Sequence, residues 1–315
     1  MDLQPSETEE AIRAASEEFL RDAFPLPDSR NRPADAWAKM AEMGWFGIGL
    51  PEESGGIAVG LGAEALVFAE MGRHIAPAGA IAAAVGARIA HDAGEQALAQ
   101  DIASGVQRVA IGLADYRGFV RALDVEGASL IVVTTAEGGA VHELPAGINT
   151  EDCLDLSMRQ AVLRQPLGAA RATVASRRPA LHQQIAAAAF ALGCAEAGRD
   201  MGVEYAKTRE QFGKPIGSFQ ALKHIMADMA VRCSAARAQV MFAAMALETG
   251  RDDAPFHVVA AKRIADTAAV ENGRANIQIH GGIGMTDEAH PHLVLKRAHL
   301  LSHVSPALAS DLLAA

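Results

Sequence analysis

A double change in the spacing of its apolar residues limits what this chain can become. Up to about residue 107 they recur at helical intervals, as Ile12, Ala15, Phe19 and Leu20 do behind the capping-box pair Ser6 and Glu9. From Val109 to about Ala175 they fall into short, β-branched runs: Val109–Leu113, Leu130–Thr135, Ala140–Leu144 and Gln160–Leu163. Gly138-Gly139, between two of these runs, reads as a hairpin turn. From about Pro179 the helical interval returns, beginning with an alanine-rich helix over Leu181–Lys207. The expectation is a mainly α chain with a small β domain: helical residues 1–107, strands within 108–177, and a four-helix bundle over 178–315.

Composition narrows the class. Half of the 315 residues are hydrophobic but only 4% are aromatic, which suits small side chains in closely packed helices. A net charge of −10 argues against general nucleic-acid binding. Cys153, Cys194 and Cys233 are odd in number and widely spaced, so neither a disulfide framework nor a zinc site is expected, and a reducing cytoplasm fits. The acidic first ten residues do not read as a signal peptide, and no apolar run has the length of a membrane span.

The densest chemistry lies at Arg209-Glu-Gln-Phe-Gly-Lys-Pro-Ile-Gly-Ser-Phe-Gln220, between two long helical segments. Gly213, Pro215 and Gly217 read as a helix–turn–helix corner, with Ser218 as N-cap of the next helix. A guanidinium at such a corner can take a phosphate bidentately, and a helix start offers free N–H groups to an anion. The same residues also suit an ordinary turn whose arginine makes a surface salt bridge. Gly44–Gly56 is glycine-rich but lacks the Gly-Lys-Ser/Thr of a phosphate loop, and reads as a structural connection.

Arg-x-Gln-Phe-Gly-x-Pro-Ile-x-x-Phe-Gln, continued by Lys223-His224 and Ala227-Asp228-Met229, resembles the C-terminal domain of acyl-CoA dehydrogenases. Gln278-Ile-His-Gly-Gly-Ile-Gly284 follows at the distance seen in that family, and Leu50-Pro-Glu-Glu-x-Gly-Gly56 and Gly72–Pro77 match its N-terminal segments. The resemblance implies FAD as cofactor and a CoA thioester as substrate, with oxidation of its Cα–Cβ bond. It also implies that Arg209, Gln211, Phe212, Gln220, Gln278, Gly281 and Gly282 clamp the ADP half of a flavin held mainly by a neighbouring subunit. Electron-transfer flavoprotein is the implied acceptor.

Two parts of the family pattern are missing. The Thr-Glu-Pro loop that holds the flavin ring has no match, and the β domain looks reduced. The two positions where the family places its catalytic glutamate carry Ser305 and Gln183, neither of which can serve as a carboxylate base. Glu204, Glu248, His182, His299 and His303 have suitable chemistry but stand elsewhere. The pattern resembles the smaller, base-lacking subunit of heteromeric α2β2 dehydrogenases, some of which act on CoA thioesters of steroid side chains. A homo-oligomeric flavoenzyme using another base, or a flavin monooxygenase, is the alternative within the enzyme class. A non-enzymatic scaffold is the alternative outside it.

Overall fold

The computed structural model describes residues 5–115, 117 and 119–306. Five helices come first: α1 (Glu7–Ala23), α2 (Ala36–Glu42), α3 (Leu61–Arg73), α4 (Gly79–Asp92) and α5 (Gln96–Ala103). The Ser6–Glu9 capping box forms as expected: the serine hydroxyl accepts from the Glu9 N–H and the Glu9 carboxylate accepts from the Ser6 N–H.

Seven strands follow: β1 (Val109–Ala114), β2 (Val120–Leu123), β3 (Leu130–Thr134), β4 (Gly139–Glu143), β5 (Glu151–Asp152), β6 (Arg159–Leu163) and β7 (Ala170–Val174). They form one sheet in the order β5-β6-β2-β1-β3-β4-β7. β1 and β3 are parallel; every other pairing is antiparallel. Gly138 closes the β3–β4 hairpin, its carbonyl accepting from Thr135 N–H at 2.7 Å. α4 lies against the sheet at Gly86, where an added Cβ would come within 2.8 Å of Val132.

The C-terminal helices are α6 (Arg178–Thr208), α7 (Gln220–Glu248), α8 (Ala254–His280) and α9 (Pro291–Leu301). α6 is the axis of the molecule. Pro179 stands in its first turn, where its missing N–H costs nothing. Residues 181–198 are buried on every side, as expected of a helix with a largely apolar circumference. Small residues let neighbours reach its backbone. A Cβ on Gly193 would sit 1.8 Å from the carbonyl oxygen of Ala69, and one on Gly72 would sit 2.0 Å from that of Phe190. α3 and α6 therefore touch main chain to main chain. One continuous apolar cluster runs from α1 through the sheet's inner face to α9.

Buried charges tie the layers together. Glu196 of α6 receives Arg73 of α3 at 3.2 Å and Arg237 of α7 at 2.8 Å. Arg297 of α9, 0% exposed, donates Nε to Asp155 Oδ2 at 2.6 Å, Nη1 to the Ala76 carbonyl at 2.6 Å and Nη2 to Ser157 Oγ at 2.9 Å. Cys153, Cys194 and Cys233 are free and buried. Among the described residues no cluster could hold a metal ion, and no helix is long and apolar enough to cross a membrane.

Candidate functional site

Two regions carry the expected chemistry. The first is the end of the bundle where α6 and α8 stop and α7 begins. Arg209 is the residue at which α6 turns extended. The chain then forms a two-stranded hairpin, β8 (Glu210–Gln211) with β9 (Lys214–Pro215), followed by one 3-10 turn, Ile216–Ser218. The predicted helix–turn–helix corner is thus a β-hairpin between helices. Ser218 is not the N-cap either: α7 starts after Phe219 with no side-chain cap, because the 3-10 turn uses up Ser218.

The hairpin turn is Phe212-Gly213, with φ of 55° and 75°. A two-residue hairpin needs positive φ at both positions, which glycine meets freely and phenylalanine does not. Phe212 nevertheless holds it with its ring 91% exposed, touching Phe219 edge-on at 6.0 Å between centroids. The Cβ of an L-residue pays roughly 1–2 kcal/mol in this conformation. Strain of this kind with no internal packing to repay it marks a contact surface. Phe212→Gly should raise the melting temperature, through a gain of about 1 kcal/mol, while lowering retained flavin. A fall in melting temperature would remove the strain argument.

The Arg209 guanidinium is exposed and makes no hydrogen bond or ion pair among the described residues. Gln211 bonds only the adjacent Glu210 carbonyl, at 2.8 Å, and Gln220 and Gln278 are exposed. Gln278 lines a shallow groove between α7 and α8 together with Arg232 and Arg274. Gly281 ends α8 at φ 66°, ψ −145°, a conformation only glycine holds without strain. A Cβ at Gly281 or Gly282 would meet nothing within 4 Å. Internal packing therefore does not explain Gly282, and the open backbone suits close approach of a ligand. The two blocks share one end of the bundle because Tyr205, in the last turn of α6, stacks on His280, the last residue of α8, at 4.1 Å and 21°. Ala206, Met229 and Ile279 pack a small core beneath them.

The second region is a cavity of about 1000 Å3 between α9 and the sheet's inner face, the face that also carries Val109 and Ile111. Alternate residues of β1, β2 and β6 form its wall: Leu113, then Arg121 and Leu123, then Gln160 and Val162. Leu300 and two histidines, His299 and His303, face them. Burial, and then nearby Arg274 and His303, push His299 below its ordinary value, which leaves it neutral and able to accept a proton near pH 7. Nothing in the sequence of α9 or of the turn after it distinguishes His299 and His303 from solvent-facing histidines, so only the fold reveals the cavity they line.

Ser305 and Gln183 are the residues at which the family resemblance expects a catalytic carboxylate. Ser305 is half-buried with φ 46°. Gln183 is 1% exposed, and its Oε1 accepts from Thr134 Oγ1 at 2.9 Å. The other carboxylates have structural duties. Glu248 accepts the Leu61 N–H at 3.0 Å and so caps α3, while Glu204 lies exposed beside Lys207. His182 is paired with Glu64 at 2.6 Å beside an enclosed void of about 20 Å3, room for one water.

Comparison with known proteins gives the family of the chain. Residues 6–106 match the model of the acyl-CoA dehydrogenase N-terminal domain, and residues 164–304 that of its C-terminal domain. Acyl-CoA dehydrogenase FadE34 of Mycobacterium tuberculosis is 34% identical over 295 residues, covering 84% of this chain but 40% of that protein. Acyl-CoA dehydrogenase IpdE2 of the same organism is 33% identical over 282 residues, covering 87% of this chain and 83% of that protein. Among solved structures, the ChsE4–ChsE5 complex from M. tuberculosis superposes with a TM-score of 0.81 at 22% identity, over 100% of this chain and 97% of that one. The Tcur3481–Tcur3483 steroid dehydrogenase gives 0.82 at 24% identity, over 98% and 96%. Two family models that together match well over half of its residues, and a relative 33% identical over 87% of the chain, show that this chain belongs to the acyl-CoA dehydrogenase family.

Proposed function

We propose that this chain is the base-lacking subunit of a heteromeric, FAD-dependent acyl-CoA dehydrogenase, and that it completes the ADP side of a catalytic partner's flavin site. The observation that carries the reading is the Arg209 guanidinium, exposed and without a protein partner beside a strained, solvent-facing Phe212. A surface arginine in a turn salt bridge would have a carboxylate within reach; this one has none among the described residues. With Gly281 and Gly282 open at the same end of the bundle, the donor set fits a pyrophosphate: a planar fork of N–H groups and a bare backbone. FAD, when bound, would supply the redox chemistry for oxidising the thioester's Cα–Cβ bond. This chain's part is to hold the cofactor's anionic end with Arg209, Gln211, Gln220 and Gln278, and to cover it with Phe212.

The substrate reading is a CoA thioester with a bulky acyl group, a steroid side chain being one such class. Its support is the roomy cavity between sheet and α9 and the likeness to a pair described as a steroid dehydrogenase. The ChsE4–ChsE5 neighbour is itself a complex of two chains. Electron-transfer flavoprotein is the proposed acceptor, and the cytoplasm, where three free thiols stay reduced, the proposed compartment. One observation favours a second reading, a homomeric flavoenzyme: His299 and His303 line the cavity and offer an alternative base.

Arg209→Ala tests the main reading. Charge-assisted hydrogen bonds are worth about 1.5–3 kcal/mol each, so FAD affinity of the co-purified assembly should fall at least roughly tenfold. Lysine should restore only part, since it keeps charge but loses the fork. Equal FAD affinity in wild type and Arg209→Ala would defeat the proposal.

A further inference from the structure

A third cavity, of about 520 Å3, opens where the α1–α2 connection meets the sheet, and it belongs to neither region above. Arg30 and Arg32 come from the connection, Arg108 from the residue before β1, and Asp124 and Glu126 from the turn after β2. The hydrogen bonds of these groups do not close. Asp124 is spent: its Oδ2 accepts the Gly79 N–H at 2.7 Å and its Oδ1 accepts Arg108 Nη2 at 3.1 Å. Glu126 is exposed. Arg32 donates to the carbonyls of His74 and Ile75 and lies over the Phe24 ring; Asp155, Asp124 and Asp28 attract it, but among the described residues none of them hydrogen-bonds it. Burial, and then neighbouring Arg297, push this guanidinium down to about 10. Arg108 Nε is buried with no acceptor. So is the hydroxyl of Ser29, a cavity-lining residue 1% exposed.

Buried cations are normally paired, and buried donors normally bonded. Here a guanidinium hydrogen-bonded to no carboxylate among the described residues, an unfilled N–H and an unfilled hydroxyl share one cavity. The N–H needs an acceptor, and the hydroxyl can donate to one. We propose that this cavity binds a small phosphate-bearing molecule, its phosphate oxygens taken by Arg32, Arg108 Nε and Ser29 Oγ; Arg30 at the mouth is itself ion-paired to Asp287 at 2.9 Å. Guanidinium forks match phosphate oxygens bidentately. The volume exceeds what a bare phosphate needs and falls in the ordinary range for small-molecule sites, roughly 300–1,000 Å3, so an organic body is accommodated. The site sits at the start of β1, whereas the large cavity against α9 takes in the strand's other end, Leu113 and Ala114. It is thus an effector or bracing site, separate from the flavin clamp.

Isothermal titration of the full chain with inorganic phosphate, and separately with adenosine 5′-monophosphate, tests this. Phosphate should bind saturably at millimolar concentration or below, and the nucleotide should bind more tightly if the organic body is held. Arg32→Gln should weaken either at least roughly tenfold. Because Arg32 also braces the His74 and Ile75 carbonyls, Ser29→Ala is the second variant: it removes a hydroxyl that has no partner, so folding is kept and phosphate binding weakens severalfold. Arg209→Ala should leave this binding unchanged. No saturable binding, binding undiminished in both Arg32→Gln and Ser29→Ala, or binding lost in Arg209→Ala would each overturn the site, the last by assigning phosphate to the bundle-end clamp.

Discussion

Arg297→Met lowers the free energy of unfolding by about 3–5 kcal/mol, the usual result of removing one partner from a buried ion pair. The loss exceeds that of the Asp155 bond itself. Methionine leaves a carboxylate that is 3% exposed without its counter-charge, and leaves the Ala76 carbonyl and the Ser157 hydroxyl without their donor. A double variant, Arg297→Met with Asp155→Leu, recovers most of the loss, since an apolar pair of similar volume avoids burying charge. Urea midpoints at pH 7 measure both. A single-variant loss below about 1 kcal/mol would mean that the pair is hydrated rather than buried. The pair also predicts acid sensitivity. Burial alone would raise the Asp155 carboxyl, but Arg297 and Ser157 outweigh it and hold it below the usual carboxylate range. A depressed folded value contributes stability that is complete above the unfolded value near 3.9 and is lost as pH falls through the folded one. Stability due to this pair is therefore flat from pH 5 to 8 and declines below about pH 4.

The purified chain, supplied with FAD and an electron acceptor, oxidises a panel of acyl-CoA esters at least ~100-fold more slowly than the assembly obtained by co-expression with an acyl-CoA dehydrogenase partner. A positioned general base contributes roughly 10²–10⁴ in rate, and this chain places none of its carboxylates at the family positions. Ser305→Glu does not restore turnover. The family resemblance gives no match in this sequence for the loop that holds the flavin ring, so a carboxylate alone is not enough. Turnover by the chain alone at the rate of the assembly would sink the heteromeric reading. If that turnover fell on His299→Gln, with an acid limb moved or lost in the pH profile, the homomeric reading would take its place.

The helices were legible because their signals are local. Alanine-rich runs with apolar residues at helical spacing, bounded by Pro179, Gly250 and Gly281, can do little else, and four of the seven sheet strands announce themselves by β-branched runs. β2, β5 and β7 were not anticipated. Val-Arg-Ala-Leu is too short to show alternation, and Ala-Arg-Ala-Thr-Val is polar at positions facing solvent at the sheet edge. The hairpin at Glu210–Pro215 was hidden for another reason: its glycine and proline equally punctuate an interhelical turn, and a phenylalanine at positive φ contradicts local preference. Of the candidate site, Arg209, Gly281 and Gly282 could be named from the chain alone. That His299 and His303 share a cavity with β1 and β2, or that Arg32 and Arg108 line one cavity, depends on contacts between segments far apart in sequence.

The glycine contacts between α3 and α6 bear on how anything enters this molecule. Where two helices meet through side chains, rotamers can shift and let one slide past the other. Gly72 against Phe190 and Gly193 against Ala69 leave no side chain to shift, only carbonyl oxygens already in contact with backbone. The N-terminal helices and the bundle are thereby geared as one rigid body, and hinge-like opening between them is not available. Traffic into the large cavity must pass the ends of α9 or the strand connections beside it, so substitutions there should alter association rates more than affinity.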